Sequence, residues 1–125
     1  MIGYLIDVQN DKVSTVRTTG QLEDYYNKLN CSSIDVASRA VDGKYYDIIV
    51  DDESLCVDAP RISAIAPDGE SMLAGNLLVL NCPDANDETG SVRGLTDEDV
   101  QRIAANVRRV TFRSGRIGNV LVCSY

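Results

Sequence analysis

Leu77-Leu78-Val79-Leu80 is apolar at four successive positions. Successive side chains of a strand point to opposite faces, so a run apolar at both parities needs cover on both sides. Crossing a membrane as a helix takes roughly 20 apolar residues, which rules that role out for so short a run. The run therefore predicts an interior strand, buried between two other layers that the rest of the chain must supply. At 125 residues there is material for one hydrophobic core, and a single domain over 1–125 is expected.

The layers can be traced along the chain. Ile2, Tyr4, Ile6 and Val8 alternate as in a strand, Asn10-Asp11 offers a turn, and 13–17 returns as a second strand. Leu22, Tyr25, Tyr26 and Leu29 share one face of a short helix, with Thr18 and Gln21 spaced for a capping box. Segments 33–40 and 44–51 flank Asp42-Gly43 and predict a hairpin. A two-residue loop sets Ile34 opposite Asp51. A three-residue loop over 41–43 sets Ile34 opposite Val50 and keeps Ile34, Val36, Ala40, Tyr46, Ile48 and Val50 on one face, so it is the preferred register. That loop needs a left-handed backbone at its third position, which Gly43 can adopt without steric cost. Residues 61–66 fit either an extended or a helical piece. Thr96 caps the best helix, with Asp97, Glu98 and Asp99 in its first turn and Val100, Ile103, Ala104 and Val107 as its apolar stripe. Val110–Phe112 and Val120–Val122 flank a Ser114-Gly115 turn as strands. The fold class expected is α+β: a mostly antiparallel sheet of about five to seven strands with two main helices, about 20–29 and 97–109.

Cysteine usage argues against a disulfide framework or a zinc site. Cys31, Cys56, Cys82 and Cys123 form no C-x-x-C, and the chain has no histidine. The N-terminus lacks the basic start and long apolar stretch of a signal peptide, so free thiols and a cytoplasmic location are expected. No cofactor, metal or membrane partner is expected.

Charge is unevenly spread. Residues 1–100 carry all 19 acids and 7 of the 12 basic residues, whereas 101–125 carry Arg102, Arg108, Arg109, Arg113 and Arg116 and no acid. The arginine-rich end is the candidate partner-binding segment, Arg108, Arg109, Arg113 and Arg116 above all, with a solvated face as the competing reading. If these arginines lie together, carboxylates elsewhere in the chain or in a second copy are expected to compensate them. Asp47, Asp51, Asp52 and Glu53 form the densest carboxylate group. Such a group could hold magnesium or serve acid–base chemistry, but acids ending a strand in water explain it as well. Asp84, Asn86 and Glu88 alternate like a calcium loop, yet Thr89 stands where that loop needs glycine and Leu95 where it needs glutamate. Serine or cysteine nucleophiles would lack a histidine base. Tyr4, Tyr45 and Tyr125 are the candidates for stacking on nucleobases.

The segments Tyr46-Asp47-Ile48-Ile49-Val50-Asp51-Asp52-Glu53-Ser54-Leu55, Met72-Leu73-Ala74-Gly75-Asn76-Leu77 and Leu95-Thr96-Asp97-Glu98-Asp99-Val100 occur in this order. Together they resemble the family catalogued as domain of unknown function 3846, small proteins carried by bacterial phages, plasmids and conjugative elements. The likeness spans roughly residues 12–108 as a pattern rather than a catalytic signature. The family has glycine where Ser54 stands, and the stretch after Val110 extends beyond the pattern. The resemblance implies a mobile-element origin and a cytoplasmic location, and it brings no activity and no site residues. The function expected is a non-enzymatic interaction protein that binds a host or element-encoded macromolecule. That partner is expected to be a protein, a second copy of the chain included. The alternatives are a small-ligand or nucleotide-binding domain or a carboxylate–metal enzyme, and a nucleic-acid binder working through residues 102–116.

Overall fold

In the computed structural model, residues 1–54, 60–83 and 93–125 are described. Their elements run β1 (Ile2–Asp7), β2 (Lys12–Arg17), α1 (Leu22–Leu29), β3 (Ile34–Val41), β4 (Lys44–Asp51), β5 (Ile62–Ile65), β6 (Ser71–Ala74), β7 (Leu77–Asn81), α2 (Asp97–Ala105), β8 (Val107–Thr111) and β9 (Ile117–Val122). The class is α+β, as expected. The described residues contain nine strands in two sheets rather than five to seven in one. The first sheet is antiparallel throughout, in the order β2-β1-β7-β4-β3. The second, β6-β5-β9-β8, has one parallel pairing, β5 with β9.

Strand β7 sits at the centre of the first sheet and is buried at all five positions. Leu77 and Val79 face a core shared with Tyr4, Ile6, Tyr46 and Ile48 of the same sheet, Ala64 and Leu121 of the second sheet, and Ile103 of α2. Leu78 and Leu80 face the opposite way, onto Tyr25 and Leu29 of α1 with Ile49. The layers are thus α1, first sheet, then second sheet with α2. The apolar run at both parities is explained by this double cover.

The hairpin between β3 and β4 corrects the preferred register. Ile34 lies opposite Asp51 and Val36 opposite Ile49, so the loop has two residues. Asp42 (φ 49°) and Gly43 (φ 84°) are both left-handed, the pair of conformations a type I′ turn requires and Asp-Gly supplies. The three-residue loop followed from placing every apolar residue on one face. That premise fails because the sheet is covered on both faces and β3 is its edge. Tyr46, Ile48 and Val50 face the inter-sheet core, Ile34 faces the α1 layer, and Val36 is half-exposed. A three-residue hairpin loop does occur at 113–115: Phe112 N–H donates to Arg116 O (2.8 Å), and Gly115 N–H donates to Phe112 O (2.9 Å).

Both helices are shorter than expected. At the start of α1, Gln21 is the N-cap and makes no side-chain cap. Thr18 instead accepts from Gly20 N–H (3.2 Å), and Thr19 accepts from Gln21 N–H (3.2 Å). The expected box fails because Thr18 is buried and tied by its own N–H to Met1 O. Leu22, expected on the buried face, is exposed. Helix α2 has the expected Thr96 cap, as a full capping box with Asp99, but ends at Ala105. Ala104 is exposed, and residues 107–111 form β8, paired with β9. Arg108 and Arg109 therefore lie in a strand rather than in a last helical turn, although Arg108 Nη1 still donates to the carbonyl of Ala105, the last residue of α2 (2.7 Å). They point to opposite faces of a strand. Pairing with β9 gives this β-branched segment, Val107, Val110 and Thr111, its backbone hydrogen bonds, which outweighs its helical spacing.

Candidate functional site

Asp99 carries six hydrogen bonds to its two carboxylate oxygens from described residues. It is 1% exposed. Its Oδ1 accepts from Lys44 Nζ (2.6 Å), Tyr46 OH (2.8 Å) and Arg102 Nη1 (3.3 Å). Its Oδ2 accepts from Asn81 Nδ2 (2.8 Å), Thr96 N (2.9 Å) and Thr96 Oγ1 (2.9 Å). Burial alone would raise its pKa. The Lys44 contact, the Thr96 N–H, Asn81 and Tyr46 together outweigh burial and hold the carboxyl far below the ordinary carboxylate range. Burial pushes the Tyr46 phenol up to about 12, while Arg102 Nη1 donates to its oxygen at 2.8 Å. A carboxylate with about four acceptor sites and six donors has none to spare for a substrate proton, and a phenol at about 12 is no base near neutral pH. The arrangement ties the start of α2 to β4 and β7. Thr96-x-x-Asp99 announced the capping half of it in the sequence. Lys44, Tyr46 and Asn81 are brought in by strand register, which no local pattern encodes.

The acidic group at 47–53 does not converge. Asp47 and Asp51 share a face of β4 but are four residues apart, roughly 13 Å along a strand. Asp47 Oδ1 accepts from Cys82 Sγ (3.4 Å), Asp51 Oδ1 from Glu53 N–H (3.0 Å), and Asp52 Oδ2 from Ser33 Oγ (3.0 Å). Glu53 points to solvent. Among the described residues no group of three or more histidine, cysteine or acidic side chains is placed to hold a metal ion. The 84–89 pattern lies outside the described residues, as does Cys56. Cys31, Cys82 and Cys123 are free thiols, each with its pKa raised, chiefly by burial.

The C-terminal arginines divide into two sets. Arg109 forms a two-pronged contact with Asp11 in the β1–β2 turn, Nη2 to Oδ2 at 2.7 Å and Nη1 to Oδ1 at 3.2 Å, and Asn119 Nδ2 joins at 3.2 Å. The Arg109 hydrogen bonds hold the Asp11 carboxyl below its usual range. Arg102 belongs to the Asp99 network. These two meet carboxylates as expected. Arg108, Arg113 and Arg116 do not: no carboxylate among the described residues lies within salt-bridge distance of them. Arg108 donates to Ala105 O (2.7 Å) and Val107 O (3.3 Å). Arg116 stacks 4.5 Å from the Phe112 ring centre. Arg113 projects from the hairpin loop into solvent. Register puts Arg108, Phe112 and Arg116 on one face of the β8–β9 hairpin and Arg109 on the other.

Two clefts meet near Arg61. One of about 390 Å³ is lined by Val8, Gln9, Leu29, Asp51, Ser54 and Asn76, with Arg61 on its wall. Asn76 spans its floor, accepting from Val8 N–H (2.9 Å) and donating to Leu29 O (3.3 Å). The other, about 380 Å³, lies between Pro60–Ile62 and the hairpin residues Phe112, Ser114 and Arg116. Of the tyrosines weighed for stacking, Tyr4 is core. Tyr45 and Tyr125 are surface residues joined by a Tyr45 OH to Tyr125 O bond (3.1 Å), and the Tyr125 ring already carries the Arg39 guanidinium at 4.6 Å. No helix among the described residues is long and apolar enough to cross a membrane. No protein-family model, no curated protein and no solved structure matches the chain.

Proposed function

We propose that the chain is a non-enzymatic interaction protein of a bacterial mobile genetic element, acting in the cytoplasm, and that the β8–β9 hairpin is its partner-facing surface. Origin and compartment rest on the resemblance of residues 46–55, 72–77 and 95–100, with the free thiols in keeping. One observation carries the choice of surface. In a chain of net charge −7, Arg108, Arg113 and Arg116 gather on one hairpin with no carboxylate partner among the described residues. Grouped like charges repel and add nothing to folding, whereas a partner presenting negative charge relieves the repulsion and gains on-rate from it. The Asp99 network, the best candidate for chemistry, is fully committed to anchoring α2.

The test is capture from bacterial lysate by the tagged protein, with and without nuclease, beside a variant with Arg108, Arg113 and Arg116 all changed to glutamine. The proposal expects a discrete partner retained by the native protein and lost by the variant. Recovery of the same set by both proteins would overturn the choice of the hairpin.

A further inference from the structure

We propose that the groove between the start of β5 and the tip of the β8–β9 hairpin is a nucleotide site, taking a nucleoside 5′-phosphate either free or at the end of a strand. The inference rests on the reading above only in treating this hairpin as a binding surface. It adds Arg61, which lies outside the hairpin, and names the ligand.

The geometry supplies both halves of a nucleotide. Arg61 and Arg116 line the groove together with Ser114, and no carboxylate is among its described lining residues. Arg61 is pinned at one nitrogen, Nη1 donating to Val8 O at 3.1 Å, and its own carbonyl accepts from Gly75 N–H at 2.8 Å. Its remaining N–H groups keep their capacity for a ligand. Arg116 is held by a ring rather than by an anion. Its guanidinium lies 4.5 Å from the Phe112 centroid, and a Cβ built at Gly118 would stand 3.2 Å from Arg116 Nη1 and 3.4 Å from Phe112 Cε2. The missing side chain of Gly118 thus leaves room for the Arg–Phe stack to lie against the strand. The carboxylate whose titration senses Arg116 is Asp11, and its oxygens are occupied by Arg109 and Asn119. Arg61, with donors beyond the one given to Val8 O, and Arg116, with no carboxylate partner among the described residues, line the same groove, and guanidinium groups bind phosphate in planar, two-pronged fashion. Ser114 Oγ, which accepts from Arg116 N–H (3.4 Å), has its hydroxyl proton to add.

The rest of the wall is apolar: Pro60, Ile62 and Phe112. Inorganic phosphate would leave these surfaces idle, while a planar base covers them. A volume of about 380 Å³ falls within the ordinary range of small-ligand sites. Net charge decides between a terminal nucleotide and the interior of a long strand. Every further phosphate would have to lie over a protein of charge −7, so affinity should not grow with strand length as it does on a basic surface.

The test is calorimetric and NMR titration of the full chain with dAMP, deoxyadenosine, inorganic phosphate, and dT12 with and without a 5′-phosphate. Saturable binding of dAMP is expected, with deoxyadenosine and inorganic phosphate each at least about tenfold weaker. Arg116→Gln and Arg61→Gln should each weaken dAMP by roughly 10–100-fold, the range for a lost charged hydrogen bond. Native amide spectra would show that both variants fold, and Arg61→Lys should recover part of the affinity if folding is intact. Phe112→Leu should weaken dAMP and leave phosphate unchanged. Binding of dT12 only when it carries the 5′-phosphate supports a strand end as the source, and dAMP binding supports the free nucleotide. Absence of saturable binding by both dAMP and 5′-phosphorylated dT12, dAMP binding indifferent to Arg61 and Arg116, or dT12 binding indifferent to its 5′-phosphate would overturn the site. Any of these with lysate capture still lost in the Arg108, Arg113 and Arg116 triple variant would remove this inference alone. Nucleotide binding with capture unaffected by the hairpin arginines would remove the partner-surface reading alone.

Discussion

The chain deploys its positive charge in two contrasting ways. At the α2–sheet junction, Lys44 and Arg102 converge on the buried Asp99, and each meets its carboxylate. On the β8–β9 hairpin, Arg108, Arg113 and Arg116 sit at the surface without a carboxylate among the described residues. Arg109 stands between the two cases, paired with Asp11 but in water. The contrast teaches that charge composition alone does not locate function. Burial and satisfaction separate a cation that holds the fold from one left open to a partner.

Substitutions can break this comparison at either end. Asp99→Ala should have the largest effect, a loss of about 3–5 kcal/mol in urea unfolding, because it strands Lys44, Tyr46 and Arg102 around an empty place. A loss below about 1 kcal/mol would show that the network is not the fastening described here. Leu78→Ala, on the α1 side of β7, should cost about 2–5 kcal/mol through lost burial and a cavity. This second effect tests the layer rather than the charge.

The acid limb of the stability profile sharpens the same contrast. The folded pKa of Asp99 lies below its unfolded value, so its contribution is present above roughly pH 3.9 and is lost as pH falls further. Asp99→Asn should flatten that limb. At the alkaline end, Tyr46 goes from 10.0 to about 12 on folding. The native state therefore holds a proton the unfolded chain releases, and stability should fall as pH rises between those two values. Tyr46→Phe should make that slope shallower, the raised Tyr4, Tyr25 and Cys123 leaving the remainder, which a pH series of unfolding midpoints would show.

A smaller effect is expected at the β3–β4 turn. Gly43→Val should cost about 1–3 kcal/mol for a branched residue held at positive φ, with Asp42→Asn close to neutral because Asn-Gly fits the same turn. Strong destabilisation by Asp42→Asn would contradict the two-residue loop. A still smaller effect should belong to Arg109→Gln, visible only at low ionic strength, since its partner Asp11 is solvated.

Much of this fold was legible because particular residues left few choices. Leu77–Leu80 required two covering layers and found them, and Thr96 with its acidic first turn marked the start of α2. Two of the departures come from reading an element apart from its neighbours. A local pattern shows one side of an element and not what covers the other. Ile34 and Val36 share the face of Tyr46 only if the sheet buries one face, and Val107–Arg109 continue the helical spacing although pairing with β9 makes β8 the favourable state. The candidate site was legible as composition, an acid-free run of arginines. Its division was not, since the separation of Arg109 from Arg108 depends on a strand that flips alternate side chains and on Asp11, some hundred residues away in sequence. The groove at Arg61 left no trace in the sequence, because Pro60–Ile62 and Phe112–Arg116 meet only through the parallel pairing of β5 with β9.

The central claim is that the hairpin arginines do not hold the fold together. Urea unfolding of the Arg108, Arg113 and Arg116 triple glutamine variant, at low and at moderate salt, tests it most directly. A stability within about 0.5 kcal/mol of the native chain is expected at both salts, as for surface positions that hold no carboxylate among the described residues. A loss of several kcal/mol that grows as salt is removed would contradict it and place these arginines with Lys44 and Arg102, among the charges that fasten the fold.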